Sequence, residues 1–232
     1  MSSKDVVAMR LVIRVGGSVV ASPVNPQLME DYTVIWEKLK KQGHELAVIV
    51  GGGSPARKFI KVAEDLGLNE RVQDEIAIYI SRIFAHLFLR KLGDLSCRVV
   101  PLTIGDAARC FQEGKIVVMG GLEPGMTTDT VAALIVERIR ADMLIKATDQ
   151  SGIYDKDPVK HVGATKLSKL SYEKLWNVLA ENKHRAGIHQ ILDPEAVRKL
   201  EKQQMRIVVV NGFKPENILA VVRGEEVGTT IE

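Results

Sequence analysis

Short β-branched runs that end in glycine turns and lead directly into helical segments constrain this chain more than any other feature. Arg10–Val15 runs into Gly16-Gly17-Ser18, Glu45–Val50 into Gly51-Gly52-Gly53-Ser54-Pro55-Ala56-Arg57, and Lys115–Met119 into Gly120-Gly121. The runs are apolar at successive positions, which marks strands buried on both faces. Further strands are expected at Arg98–Leu102, Asp142–Ala147 and Arg206–Val210. Between the strands, periodicity predicts helices at Gln27–Lys41, Pro55–Leu66, Val72–Leu92, Gly105–Phe111, Thr128–Arg140, Tyr172–Leu179, Pro194–Gln203 and Pro215–Val222. Strands alternating with helices define an α/β chain: a mostly parallel central sheet with helices on both faces, a three-layer sandwich.

A length of 232 residues suits one large domain, and 46% apolar content supports a sizeable core. The chain reads as a single domain over 1–232, with an N-terminal lobe to about 140 and a C-terminal lobe over about 141–232. The charged, glycine-containing stretch Asp149–Lys169 is the most loop-like part. Lys and Arg number 32 against 29 Asp and Glu, and no basic block stands apart from acidic neighbours, which argues against nucleic-acid binding. No apolar stretch approaches the ~18 residues of a membrane span. Arg10 and Arg14 break the N-terminal apolar run, so it makes a poor signal peptide. A cytoplasmic protein without a membrane partner is expected. Cys97 and Cys110 are too few for a disulfide framework or a thiolate site, and are expected as small buried hydrophobes. His184 and His189 lack ligand spacing and are expected at the surface, so no protein-ligated metal is expected.

In a parallel sheet the glycine turns fall at one edge, where ligands sit at strand C-termini. Glycines allow backbone N–H groups close to phosphate oxygens, and the following helix N-termini add partial positive charge. Gly-Lys-Ser/Thr is absent, so this is no P-loop. Gly51, Gly53 and Ala56 fit a loose G-x-G-x-x-A pattern, but the expected acid at a second strand end is missing; Asp74 falls in a helix instead. Arg57, one turn into the helix after the triple glycine, can clamp a phosphate with two donors. Thr127 and Thr128 suit both a helix cap and a phosphate or sugar contact.

Together, V-G-G-S-V at 15–19, V-G-G-G-S-P-A-R at 50–57 and M-G-G-L-E-P-G-M-T-T-D at 119–129 resemble the amino-acid-kinase fold family. So do A-T-D-Q-S-G-I-Y-D-K-D-P at 147–158, I-L-D-P at 191–194 and R-G-E-E-V-G-T-T-I at 223–231. Within that family the P-G-x-T-T-D segment resembles the archaeal type of uridylate (UMP) kinase. The resemblance implies an ATP lobe at the C-terminal end and an acceptor lobe at the N-terminal end. Gly17, Ser18, Gly53, Arg57, Thr148, Tyr154 and Asp157 would then meet ATP. Gly52, Asp74 and the loop of Leu122, Glu123, Pro124, Gly125, Met126, Thr127 and Thr128 would hold UMP, with Asp74 at the ribose. Arg57, Asp149, Asp193 and Arg14 are the expected catalytic residues. The two aspartates would orient cations and Mg²⁺ around the transferred phosphoryl group. A homohexamer assembled from dimers is also implied.

Three positions depart from the pattern. Arg14 stands where many members of the family carry lysine, Asp149-Gln150-Ser151-Gly152 resembles the acetylglutamate-kinase branch, and Phe84 replaces an asparagine of related UMP kinases. They leave open a kinase of the same fold with another small acceptor. A metal-oxyanion storage protein is a further alternative, because storage proteins of this fold end in a run resembling Val209–Thr229.

Overall fold

The computed structural model describes residues 7–156, 158, 161–183 and 192–232. In chain order the elements are β1 (Arg10–Val15), α1 (Gly17–Val20), α2 (Pro26–Lys41), β2 (Glu45–Val50), α3 (Gly53–Asp65), α4 (Glu70–Leu92) and α5 (Ile104–Gln112). They continue with β3 (Val117–Met119), α6 (Thr128–Ile139), β4 (Met143–Thr148), β5 (Ile153–Tyr154), β6 (Lys166–Leu167) and β7 (Lys169–Leu170). The last are α7 (Tyr172–Lys183), α8 (Pro194–Lys202), β8 (Ile207–Asn211), α9 (Glu216–Val222) and β9 (Thr229–Ile231).

Among the described residues seven strands form one sheet in the order β3-β2-β1-β4-β8-β9-β7, and β5 pairs with β6 as a separate antiparallel hairpin. β3, β2, β1, β4 and β8 are mutually parallel, while β9 runs antiparallel to β8. Alternation along each strand divides the core in two. Leu11, Ile13, Val15, Met143, Ile145 and Ala147 face the layer of α2, α4 and α9. Val12 and Leu144 face the layer of α5, α6 and α8. Arg14 and Lys146 share the period of Val12 and Leu144, so both project toward α6. Polar caps fix where helices begin: Asn25 Oδ1 accepts from Leu28 N–H at 3.0 Å, Asn69 Oδ1 from Val72 N–H at 3.1 Å, and Thr127 Oγ1 from Thr130 N–H at 3.1 Å.

Three expectations need correction. Arg98–Leu102 forms no strand, because Pro101 and the exposed Val99 leave only a bridge from Ser96 to Ile116 at the sheet edge. The β5, β6, β7 and β9 segments were not expected; each has only two or three residues. Cys97 and Cys110 are joined as a disulfide with their Cα atoms 5.9 Å apart, tying the segment after α4 to α5. Among the described residues no helix is long and apolar enough to cross a membrane.

Candidate active site

The C-terminal ends of β1, β2, β3 and β4 converge, and each delivers a turn to the same edge of the sheet. The first two turns touch backbone to backbone. A Cβ on Gly17 would stand 2.1 Å from Gly53 N, and one on Gly53, which has φ +60°, would stand 2.2 Å from Gly17 O. Only hydrogen fits at either position, so both glycines are required by this close approach. Ser54 secures the second turn, its hydroxyl donating to Ala21 O at 2.8 Å and its N–H to Ser22 Oγ at 2.7 Å.

Beside the turns lies a cavity of about 270 Å³, lined by Arg14, Gly17, Ser18, Gly51–Gly53, Arg57, Thr128, Asp129, Lys146 and Thr148–Gln150. A second cavity of about 190 Å³ abuts it and shares Gly52 and Thr128. Ala56, Asp74, Ala77, Ile78, Ser81, Gly121, Glu123, Met126 and Thr127 complete its wall. α4 holds the loop over this second cavity. Ser81 Oγ accepts from Gly121 N–H at 2.8 Å, and the Arg82 guanidinium donates to the carbonyls of Gly121 and Leu122, both at 3.0 Å. Asp74 accepts from Gly125 N–H at 2.7 Å.

The floor of the first cavity is charged. Arg14 and Lys146 are direct neighbours across β1 and β4. Asp129, in the first turn of α6, lies between them, with Oδ1 2.8 Å from Arg14 Nε and Oδ2 2.5 Å from Lys146 Nζ. The Arg14 contact is close but misaligned for a hydrogen bond, so the attraction there is coulombic. Arg14 also donates to Thr128 Oγ1 at 2.9 Å. Burial pushes the Lys146 ammonium down to about 8, although Asp129 opposes the shift and Arg14 adds to it. Burial would raise the Asp129 carboxyl, but Arg14 and Lys146 outweigh it and hold the group below the usual range.

The expected residues distribute as follows. Arg14, Gly17, Ser18, Gly53, Arg57, Thr148 and Asp149 line the first cavity; Asp74, Glu123, Met126 and Thr127 line the second; Gly52 and Thr128 line both. Asp193 lines neither. It caps α8 through Glu195 N–H at 2.8 Å and accepts from the hydroxyls of Thr127 and Thr130, so it braces the start of α6. Leu122, Pro124 and Gly125 belong to the loop without lining the cavity, and Tyr154 sits on β5 outside both cavities. Asp157, His184 and His189 lie outside the described residues. Phe84 packs in the core at 5% exposure and stays out of the second cavity. Asp149 lies on the first cavity and is absent from the wall of the second.

Lys146 and Asp129 were missed as site residues. The available signal was a lysine inside the otherwise apolar Met143–Ala147 run of a central strand. A roomier cavity, about 890 Å³, lies around the Cys97–Cys110 bridge. It has no glycine turn from a strand end, and Arg109 in its wall is already paired with Asp106. Among the described residues, no group of three or more His, Cys, Asp or Glu side chains could hold a metal by itself.

Paired cavities that meet over glycine turns, with cations lining one and carboxylates the other, define a protein built to bring two ligands together, an anionic one over the cationic floor. The chain belongs to the amino acid kinase family, whose sequence profile matches residues 9–211. It is 39% identical over 226 residues to the uridylate kinase of Methanocaldococcus jannaschii, covering 97% of this chain and 100% of that protein. The uridylate kinase of Methanobrevibacter smithii is 36% identical over 223 residues, covering 96% and 99%. Among solved structures, the uridylate kinase of Archaeoglobus fulgidus matches with a TM-score of 0.86 at 35% identity, over 97% of this chain and 100% of that one. The UMP kinase of Bacillus anthracis, at 20% identity and a TM-score of 0.80, shares the fold.

Proposed function

We propose that this chain transfers the γ-phosphoryl group of ATP to UMP, giving ADP and UDP. The observation that carries the reading is the junction of the two cavities at Gly52 and Thr128, where two phosphates can meet end to end. Gly17, Ser18 and Gly53 supply the donor-side turn, with Thr148 and Tyr154 toward the adenosine. Asp74 and the 122–128 loop take UMP, with the Asp74 carboxylate directed to the ribose hydroxyls. Arg57 and Arg14 offset charge on the meeting phosphates, and Asp193 positions Thr127 from behind.

Phosphoryl transfer needs chiefly alignment and neutralisation of charge. A non-bridging oxygen of the UMP phosphate bonds to the γ-phosphorus, and the bond to the β,γ-bridging oxygen breaks, its electron pair leaving with ADP. Mg²⁺ is usually held by one or two carboxylates together with substrate phosphates. Asp129 is committed to Arg14 and Lys146, whereas Asp149 lines the same cavity with no ion pair among the described residues. Asp149 would therefore hold Mg²⁺ arriving with ATP, and the ion would supply further charge neutralisation.

Neither sequence feature that suggested a different acceptor bears on the acceptor pocket, because Phe84 lies in the core and Asp149 on the donor side. The same reading places the enzyme in pyrimidine nucleotide biosynthesis in the cytoplasm, with acceptor and ATP lobes divided near residue 140. It also makes the enzyme a homohexamer built from dimers. Exposed apolar side chains on α3 (Phe59) and α4 (Tyr79 and Ile83), with Leu66 just after α3, each more than half exposed, support self-association. The test is ADP release from Mg-ATP with UMP, CMP, dUMP, AMP or acetylglutamate as acceptor. UMP is expected to turn over fastest; turnover of AMP or acetylglutamate without UMP would refute the assignment.

A further inference from the structure

Lys146 stands in a place that ordinary packing does not explain. Its neighbours on β4, Met143, Leu144, Ile145 and Ala147, are all buried and apolar, and its partner on β8 is Val209. Its side chain is only 4% exposed, yet it borders the cavity beside the glycine turns. Asp129 already has the partly buried Arg14 for a partner, so the trio of Arg14, Asp129 and Lys146 carries one positive charge in excess. A buried charge is costly unless it is compensated. Asp193 adds coulombic attraction but no ion pair to Lys146 among the described residues, and the further compensation the cavity above can supply is a bound anion.

We propose that Lys146 is a catalytic cation: its ammonium, held in place by Asp129, contacts the γ-phosphoryl group and neutralises charge as that group moves from ATP to the acceptor. The proposal rests on the kinase reading above and extends it to a residue that the motif resemblance leaves unassigned. No proton moves in this step. The acceptor phosphate is largely ionised at neutral pH, the bond from γ-phosphorus to the bridging oxygen breaks with its electrons going to ADP, and Lys146 keeps its proton throughout.

Arg14 on β1, Asp129 on α6 and Asp193 at the start of α8 set the charge on Lys146, and Arg57 and Asp149 share the cavity wall with it. Burial outweighs the acids and brings the free enzyme to about 8. A purely structural lysine predicts a loss of stability on removal. A catalytic one predicts a loss of turnover while stability is kept or increased, because a buried charge has been removed and Asp129 still has Arg14.

The experiment compares Lys146→Met and Lys146→Arg with wild type by steady-state kinetics and urea unfolding. Removal of one electrostatic donor at a transferring group lowers kcat by about 10²–10³. Lys146→Met should show that loss, with KM for both substrates changing far less and with wild-type stability or better. Wild-type kcat/KM should fall above pH about 8. Lys146→Arg should recover part of kcat and lack that basic limb, because guanidinium stays charged. A Lys146→Met kcat within roughly fivefold of wild type, far short of the donor effect, would overturn the proposal. So would a basic limb that Lys146→Arg leaves in place. If Lys146→Arg does not fold, the Met variant and the wild-type pH profile decide. The kinetics are run on whichever acceptor the wild type phosphorylates. Failure of UMP alone therefore sinks the acceptor assignment and not the role of Lys146, while a wild type that phosphorylates nothing sinks both.

Discussion

In an Asp129→Asn variant the buried Lys146 and the partly buried Arg14 lose the carboxylate that lies between them. Asparagine keeps the size of the side chain and can still serve the first turn of α6, so the change is mainly one of charge. Arg14 cannot shed its proton. Breaking a buried pair typically costs ~3–5 kcal/mol, and Arg14, whose side chain is 17% exposed toward the cavity, belongs below that range, at about 2 kcal/mol. Lys146 can deprotonate, and this limits its share. With its native value at about 8, protonation contributes about 3 kcal/mol at pH 6 and well under 1 kcal/mol at pH 8, at ~1.4 kcal/mol per unit. Without Asp129 the value falls further and that contribution is lost. The expected destabilisation is therefore about 4–5 kcal/mol at pH 6 and about 2–3 kcal/mol at pH 8. The wild type has a matching signature at higher pH. Because the native lysine lies below its unfolded value of 10.5, the unfolded chain holds more protons between pH 8 and 10.5, and this group makes stability rise with pH there. Urea unfolding followed by circular dichroism at pH 6 and pH 8 measures both numbers. A loss under about 1 kcal/mol at both pH values, or an equal loss at both, would refute the charged-trio reasoning.

Arg57→Ala should lower kcat by about 10²–10³ with a smaller effect on KM for ATP, and an unchanged kcat would return Arg57 to the solvated face of α3. Asp74→Asn should weaken UMP recognition by about 1–3 kcal/mol, read as a higher KM for UMP and a narrower preference over dUMP with KM for ATP constant. Intact UMP kinetics with a lower Tm would reduce Asp74 to an anchor for Gly125. Opening the Cys97–Cys110 bridge, which closes a loop with a sequence separation of 13, should lower stability by about 3 kcal/mol. Identical urea curves with and without reductant would contradict that.

The central strands were legible because burial on both faces leaves an uninterrupted apolar run, and β1 and β2 begin and end where the sequence places them. The β9 strand was not legible, because Thr229–Ile231 carries too few residues to show a period and pairs only through long-range contacts with β8 and β7. Arg98–Leu102 misled for the opposite reason: its valines have strand propensity, but no neighbouring strand pairs with them. The glycine turns and Arg57 could be read because a turn chemistry and a helix start coincide. The relation of Arg14 to Lys146 could not, since it depends on the register that places β1 beside β4. A strand prediction assigns no neighbours, so the lysine in β4 passed as one polar residue in an apolar run. The disulfide was hidden likewise, because two cysteines thirteen apart become partners only once α5 folds back beside the end of α4.

Direct transfer requires donor and acceptor phosphates to occupy one continuous space across Gly52 and Thr128. A ligand with adenosine and uridine joined 5′ to 5′ by a polyphosphate chain tests this directly by isothermal titration, alone and in competition. It should bind once per chain, more tightly than ATP or UMP, and be displaced by each of them. Displacement by ATP but not by UMP, or binding no tighter than ATP alone, would mean that the two cavities do not hold their nucleotides end to end.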